Sequence, residues 1–155
     1  MFKFCSLYSG SSGNSLLLQT SNTKILIDAG ESAKKITEAL STLNIEPNEI
    51  DAILVTHEHS DHVKGLGTLS KKNNIPVYAN SNTWDAMEEQ SSKIDNSNKK
   101  YFNPNESFEV GDIKVEAFKI PHDAANPCGF NIFKDNKKLS IATDIGNMTL
   151  DVLKC

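Results

Sequence analysis

Thr56-His57-Glu58-His59-Ser60-Asp61-His62 packs three imidazoles and the Asp61 carboxylate into residues 57–62. The chain has four histidines, so three of them fall in this one stretch. Ahead of it lies segment 50–56, whose Ile53-Leu54-Val55 run suits a strand buried on both faces. A loop set on a rigid strand end is a common place for α/β proteins to bind ligands. Neutral imidazole and carboxylate are good ligands for zinc, iron or manganese. The spacing lets alternate side chains serve separate centres, His57 and His59 one, Asp61 and His62 the next. The competing reading is a solvated polar loop, and the concentration of histidines argues against it. The fourth, His122, follows Pro121 at the end of another expected strand.

Outward from the cluster, the pattern alternates strands and helices and then turns to strands alone. Segment 2–8 is strand-like, 9–14 is a turn by composition, and 15–20 with 24–28 forms a hairpin around Ser21-Asn22-Thr23. Ser32 can cap a helix whose apolar positions Ile36, Ala39, Leu40 and Leu43 recur at helical spacing, and Pro47 stops its continuation. A helix over 63–72 leads through Pro76 to a strand at 77–79, and Ser81 or Asn82 caps a helix carrying Trp84 and Met87. Segment 95–100 is polar and reads as a surface loop. Two hairpins follow, 107–110 with 113–120 around Gly111-Asp112, and 129–134 with 138–143 around Asp135-Asn136-Lys137. A further helix begins near Asn147. This order indicates layered α/β in a single domain over residues 1–155.

Composition narrows the function. The 155 residues are those of an ordinary globular domain, and a net charge of −4 argues against a generally basic, DNA-coating surface. A phosphate-bearing substrate is still compatible, because bound metal ions reverse the local sign. All 16 basic residues are lysines, so any phosphate contact here is a point charge and not a bidentate fork. No apolar run approaches the ~18–20 residues that cross a bilayer. Cys5, Cys128 and Cys155 form neither a disulfide framework nor a metal knuckle. A cytoplasmic protein without membrane contact is expected.

The His-x-His-x-Asp-His pattern after an apolar strand resembles the signature of the metallo-β-lactamase superfamily. Leu26-Ile27-Asp28-Ala29-Gly30 resembles its first motif, His122 before Gly129-Phe130 its third, and Ala142-Thr143-Asp144 its fourth. Ser6-Leu7-Tyr8-Ser9-Gly10-Ser11-Ser12-Gly13-Asn14-Ser15, residues 56–67, and Pro121-His122-Asp123-Ala124 are similar to the YycJ (WalJ) family of exonuclease-like phosphodiesterases. The resemblance implies an αββα sandwich and two divalent metal ions, zinc first, with manganese or iron as alternatives. His57, His59 and His122 would hold one ion, Asp61 and His62 the other, with Asp144 between them. Asp61 would also be the catalytic carboxylate that orients the nucleophile, and Asp28 would support the metal-binding loop without ligating. The implied reaction is phosphodiester hydrolysis of DNA by metal-activated hydroxide. A thioester or lactone hydrolase, or an inactive metal-binding or interaction module, are the alternatives. The superfamily's fifth motif is a further histidine that this chain lacks. The expectation is a domain truncated after the fourth motif, short of one ligand for the second metal.

Several residues have two readings. Asp28 is also a plausible turn residue, and Asp144 a helix cap. The Ser11-Ser12-Gly13-Asn14 turn is either a phosphate cradle of backbone amides or a bare hairpin turn. Cys128 reads better as a buried structural thiol than as a ligand. Trp84 and Met87 read as core, and Lys71-Lys72 and Lys99-Lys100 as solvated faces.

Overall fold

The computed structural model describes residues 1–144, so the helix expected near Asn147 lies outside the described residues. The first sheet has six strands in sequence order: β1 Phe2–Tyr8, β2 Ser15–Thr20, β3 Lys24–Ile27, β4 Ala52–Leu54, β5 Val77–Ala79 and β6 Lys99–Tyr101. β1, β2 and β3 are antiparallel, and β3 through β6 are parallel. Each parallel step needs a crossover, and helices supply it. They are α1 (Ala33–Thr42), α2 (Ser60–Val63) with α3 (Leu66–Asn73), and α4 (Ser81–Ala86) with α5 (Glu88–Ser91). The second sheet is an antiparallel meander of β7 (Ser107–Val110), β8 (Ile113–Lys119), β9 (Cys128–Lys134) and β10 (Lys137–Ile141), in the order β10-β9-β8-β7.

Strand alternation assigns the two cores. On β3, Leu26 packs under the helices with Ile36, Leu40, Leu66 and Leu69. Its neighbours Ile25 and Ile27 face the second sheet, with Val115, Phe130 and Ile132. Burying each such side chain contributes about 1.5–3 kcal/mol, which favours this register over a one-residue slip that would exchange the faces. Among the described residues the layers are therefore helices, sheet and sheet, in line with the layered α/β reading. Ser32 caps α1 through its side chain, and Trp84 and Met87 are buried in the helix-side core.

Three local expectations are corrected. Segment 95–100 is not a loop throughout: a 3-10 turn at Asn96–Asn98 leads into β6, which pairs parallel to β5 and lays Lys99 over the Trp84 ring. The helix expected over 63–72 starts earlier and breaks between Val63 and Leu66, where Gly65 N–H donates to Ala29 O at 2.9 Å. The cap of α4 is Asn80, whose side chain accepts from Thr83 N, and not Ser81 or Asn82.

One clamp joins the sheets at the end away from the histidines. Asp112, in the β7–β8 turn, accepts from Thr20 Oγ1 at 2.8 Å and Thr23 Oγ1 at 2.7 Å, both at the β2–β3 turn, and pairs with Lys134 at 3.3 Å. Gly111 beside it has φ +56°, and a Cβ there would lie 2.1 Å from Thr23 Oγ1. Only glycine fits that approach.

Candidate metal centre

The C-terminal ends of β3 and β4 carry the site. Asp28 follows β3 with φ 62°, a left-handed conformation that aspartate tolerates better than most residues. Its buried carboxylate accepts from Thr56 N at 2.8 Å, Thr56 Oγ1 at 2.7 Å and His62 Nδ1 at 2.7 Å. Asp28 thus ties β3 to the start and the end of the histidine cluster. The tight path also depends on Gly30, where a Cβ would fall 1.7 Å from the Asp61 carbonyl oxygen.

These bonds set the tautomer of His57. The Thr56 hydroxyl has one proton, and it goes to the Asp28 carboxylate, which can only accept. The hydroxyl, 2.9 Å from His57 Nδ1, must therefore accept from that nitrogen. His57 Nε2 is left with a lone pair, buried and without a hydrogen-bond partner among the described residues. Burial, reinforced by His62, pushes the His57 pKa down to about 4, so the ring is neutral at pH 7. An orphaned lone pair inside a protein is costly unless something occupies it. A divalent metal ion fits this donor.

His62 is the opposite case. Burial pulls its pKa down, but the Asp28 hydrogen bond and the charges of Asp28, Asp61 and Asp144 outweigh that, and it ends above its ordinary value. Its Nε2 faces Asp144 Oδ2 at 2.9 Å and Asp61 Oδ2 at 3.5 Å. A cation held between these acidic oxygens and the imidazole would take the place of that proton.

The residues singled out in the sequence gather as two overlapping groups. Ligand atoms of His57, His59 and His122 lie within 4.8 Å of one another, as do those of His57, His62 and Asp144. His122 Nε2 sits 3.2 Å from His59 Nδ1, and His57 Nε2 sits 3.6 Å from Asp144 Oδ2. His57 is common to both groups, whereas the sequence assigned it to one. Asp61 belongs to neither and stands beside His62. The Asn14 amide holds it, donating to Asp61 Oδ2 at 3.2 Å and Asp61 O at 3.3 Å.

Asn14 thus turns inward, and its own N–H donates to Asp61 O at 2.8 Å. Ser11 and Ser12 are exposed, and Gly13 is buried against Glu31. Cys128 is fully buried, accepts from Asn80 Nδ2 at 3.4 Å, and has its thiol pKa pushed up to about 11 by burial. It joins neither group. The sequence reading missed Thr56, although a hydroxyl ending an apolar run beside a histidine was a usable signal. It also missed Glu58 and Asn80, whose partners are far away in sequence.

Residues 23–154 match the family model described as Beta-lactamase superfamily domain. The chain is 47% identical over 147 residues to exodeoxyribonuclease WalJ of Streptococcus pneumoniae, covering 94% of this chain and 55% of that protein. It is 48% identical over 146 residues to exodeoxyribonuclease YycJ of Bacillus anthracis, covering 92% of this chain and 54% of that one. The chain thus spans about half the length of the curated relatives it matches. A metallo-β-lactamase from Cronobacter sakazakii superposes with a TM-score of 0.71 at 20% identity, covering 83% of this chain and 55% of the other. BJP-1, a subclass B3 metallo-β-lactamase of Bradyrhizobium japonicum, gives 0.65 at 19%, covering 82% and 53%. Among the described residues no helix is long and apolar enough to cross a membrane. With its first-sheet helices, its paired sheets and its histidines on one edge, the chain belongs to the β-lactamase superfamily and has the metallo-β-lactamase fold.

Proposed function

We propose that this chain carries the metal-binding portion of a DNA exonuclease that works with two divalent ions, zinc first among them. The observation behind the reading is the pair of donor groups sharing His57, whose buried Nε2 has no hydrogen-bond partner among the described residues. The named activity of relatives 47–48% identical supports DNA as substrate. His57, His59 and His122 would hold one ion, and His62 and Asp61 the second, with Asp144 between them. Bound ions would supply positive charge for the phosphate and bring the pKa of water down toward ~7.

The chain's own residues set the rest. Thr56 and Asp28 fix the His57 and His62 rings, so that each presents Nε2 to the site. Asn14 engages Asp61 Oδ2, which leaves Oδ1 to accept a hydrogen bond from the attacking water and orient it. A carboxylate held at one oxygen loses less freedom on doing so.

The test uses end-labelled duplex and single-stranded DNA, with thioester and lactone substrates in parallel. In a protein extended to the full length of these relatives, stepwise nucleotide release is expected, abolished by a chelator, restored by added zinc or manganese, and lost in a His57→Ala/His59→Ala variant. DNA left intact while a thioester or lactone is consumed would overturn the assignment.

A further inference from the structure

We infer that Glu58 is a positioning residue for the metal centre: it fastens the loop that brings His122 to His57 and His59. The inference rests on the metal-binding reading above. Residues 120–127 connect β8 to β9 and belong by sequence to the second sheet, whereas His57 and His59 stand on the first. The loop has no regular structure, so its shape depends on what holds it. Its neck is closed by Ile120 N–H donating to Pro127 O at 3.0 Å, and its exit by Cys128 N–H donating to Thr56 O at 2.9 Å. Neither bond fixes the tip, where His122 lies.

Three side chains from the first-sheet layer do, and the weakest is Asn82, whose Oδ1 accepts from Asn126 Nδ2 at 3.4 Å. The Glu58 carboxylate accepts the Ala125 N–H with both oxygens, at 3.0 and 3.2 Å. The buried Asn80 amide donates to Asn126 O at 2.8 Å. Within the loop, Ala124 N–H donates to His122 O at 3.0 Å, which links the held segment back to His122. Glu58 also sits between the two histidines that His122 must meet. Any shift of the hexapeptide therefore carries the loop anchor with it, and the three imidazoles stay in register.

Asn80 caps α4 as well, so its replacement confounds two effects, and Glu58 is the cleaner probe. Glu58→Ala removes the acceptor. Glu58→Gln keeps an acceptor oxygen and removes the charge. Zinc affinity is read by competition with a chelating dye, and the cobalt form by its visible absorption. Glu58→Ala should weaken zinc binding about tenfold and alter the cobalt spectrum, whereas Glu58→Gln should stay within about threefold of the wild type. In a His122→Ala background, adding Glu58→Ala should cost nothing further. Amide exchange across residues 122–126 of the metal-free protein should rise in Glu58→Ala and not in Glu58→Gln.

Equal zinc affinity in Glu58→Ala and wild type would overturn the inference, as would Glu58→Gln falling as far as alanine, which would mean charge alone. Additive losses with His122→Ala, or unchanged exchange in the loop, would overturn it too. A His57→Ala/His59→Ala protein that keeps its metal would instead refute the metal-binding reading, and the exchange experiment still tests the anchor.

Discussion

Thr56→Val removes one hydroxyl and leaves the side-chain volume nearly unchanged. The hydroxyl donates to Asp28 and accepts from His57 Nδ1, and both contacts are buried. Valine therefore leaves the His57 N–H unpaired, a cost of about 1–3 kcal/mol to the metal-free fold. It also frees the ring to reverse its tautomer, which would place a proton on the nitrogen meant for metal. Loss of such an orienting partner typically weakens metal affinity about 10–100-fold. The backbone bond from Thr56 N to Asp28 Oδ1, at 2.8 Å, survives in every variant, so the loop itself is not released. Thr56→Ser keeps the hydroxyl and should behave as wild type. Zinc competition measures the affinity, and thermal melts of the metal-free protein measure the cost to the fold. A valine variant that binds zinc as tightly as wild type would refute the tautomer reasoning, and so would a serine variant as impaired as valine.

Other outcomes follow from single contacts. The Asp112 carboxyl is held well below the usual carboxylate range, first by the Thr23 hydroxyl and then by Thr20 and Lys134. Its stabilising contribution is thus complete above the ordinary carboxylate pKa and is lost as pH falls through the lower folded value. Asp112→Ala should cost about 1 kcal/mol at neutral pH, roughly 2–4 °C in Tm, with melts converging with wild type as acid is added. Equal melting at pH 7 would count against the inter-sheet clamp. In a full-length form, Asn14→Leu should lower the proposed exonuclease rate by more than tenfold while His57-dependent metal content persists, because Asp61 loses its amide partner. An unaffected rate would remove Asn14 from the site. Cys128 should resist alkylation in native protein at neutral pH and react only on unfolding, since it is buried and its thiol is pushed up to about 11. Mass spectrometry after timed labelling reads this, and rapid native labelling would contradict its placement.

What the sequence disclosed is what local spacing encodes. Residues 57–62 are informative because the close placement of the histidines is itself the signal, and Ile53-Leu54-Val55 reads as a doubly buried strand without any knowledge of its neighbours. A layered α/β architecture followed from helices early and meanders late. Residues 99–101 were not legible as β6 because Lys-Lys-Tyr has no apolar alternation; pairing with β5 and contact with Trp84 decide it. Asn80, Ser81 and Asn82 are all good caps, and the choice among them falls to where β5 ends. Glu58 with Ala125 and Asp112 with Thr23 span 67 and 89 residues, so no local pattern could announce either contact. The sharing of His57 between two donor groups is likewise a property of folding, since Asp144 reaches it only when the second sheet packs on the first.

An anomalous difference map from crystals grown with zinc, collected on both sides of its absorption edge, tests the metal centre most directly. A peak is expected among His57, His59 and His122, with Zn–N distances of about 2.0–2.1 Å, and a second beside His62, Asp61 and Asp144. Density elsewhere on the protein, with the His57 Nε2 lone pair still unoccupied, would contradict the account.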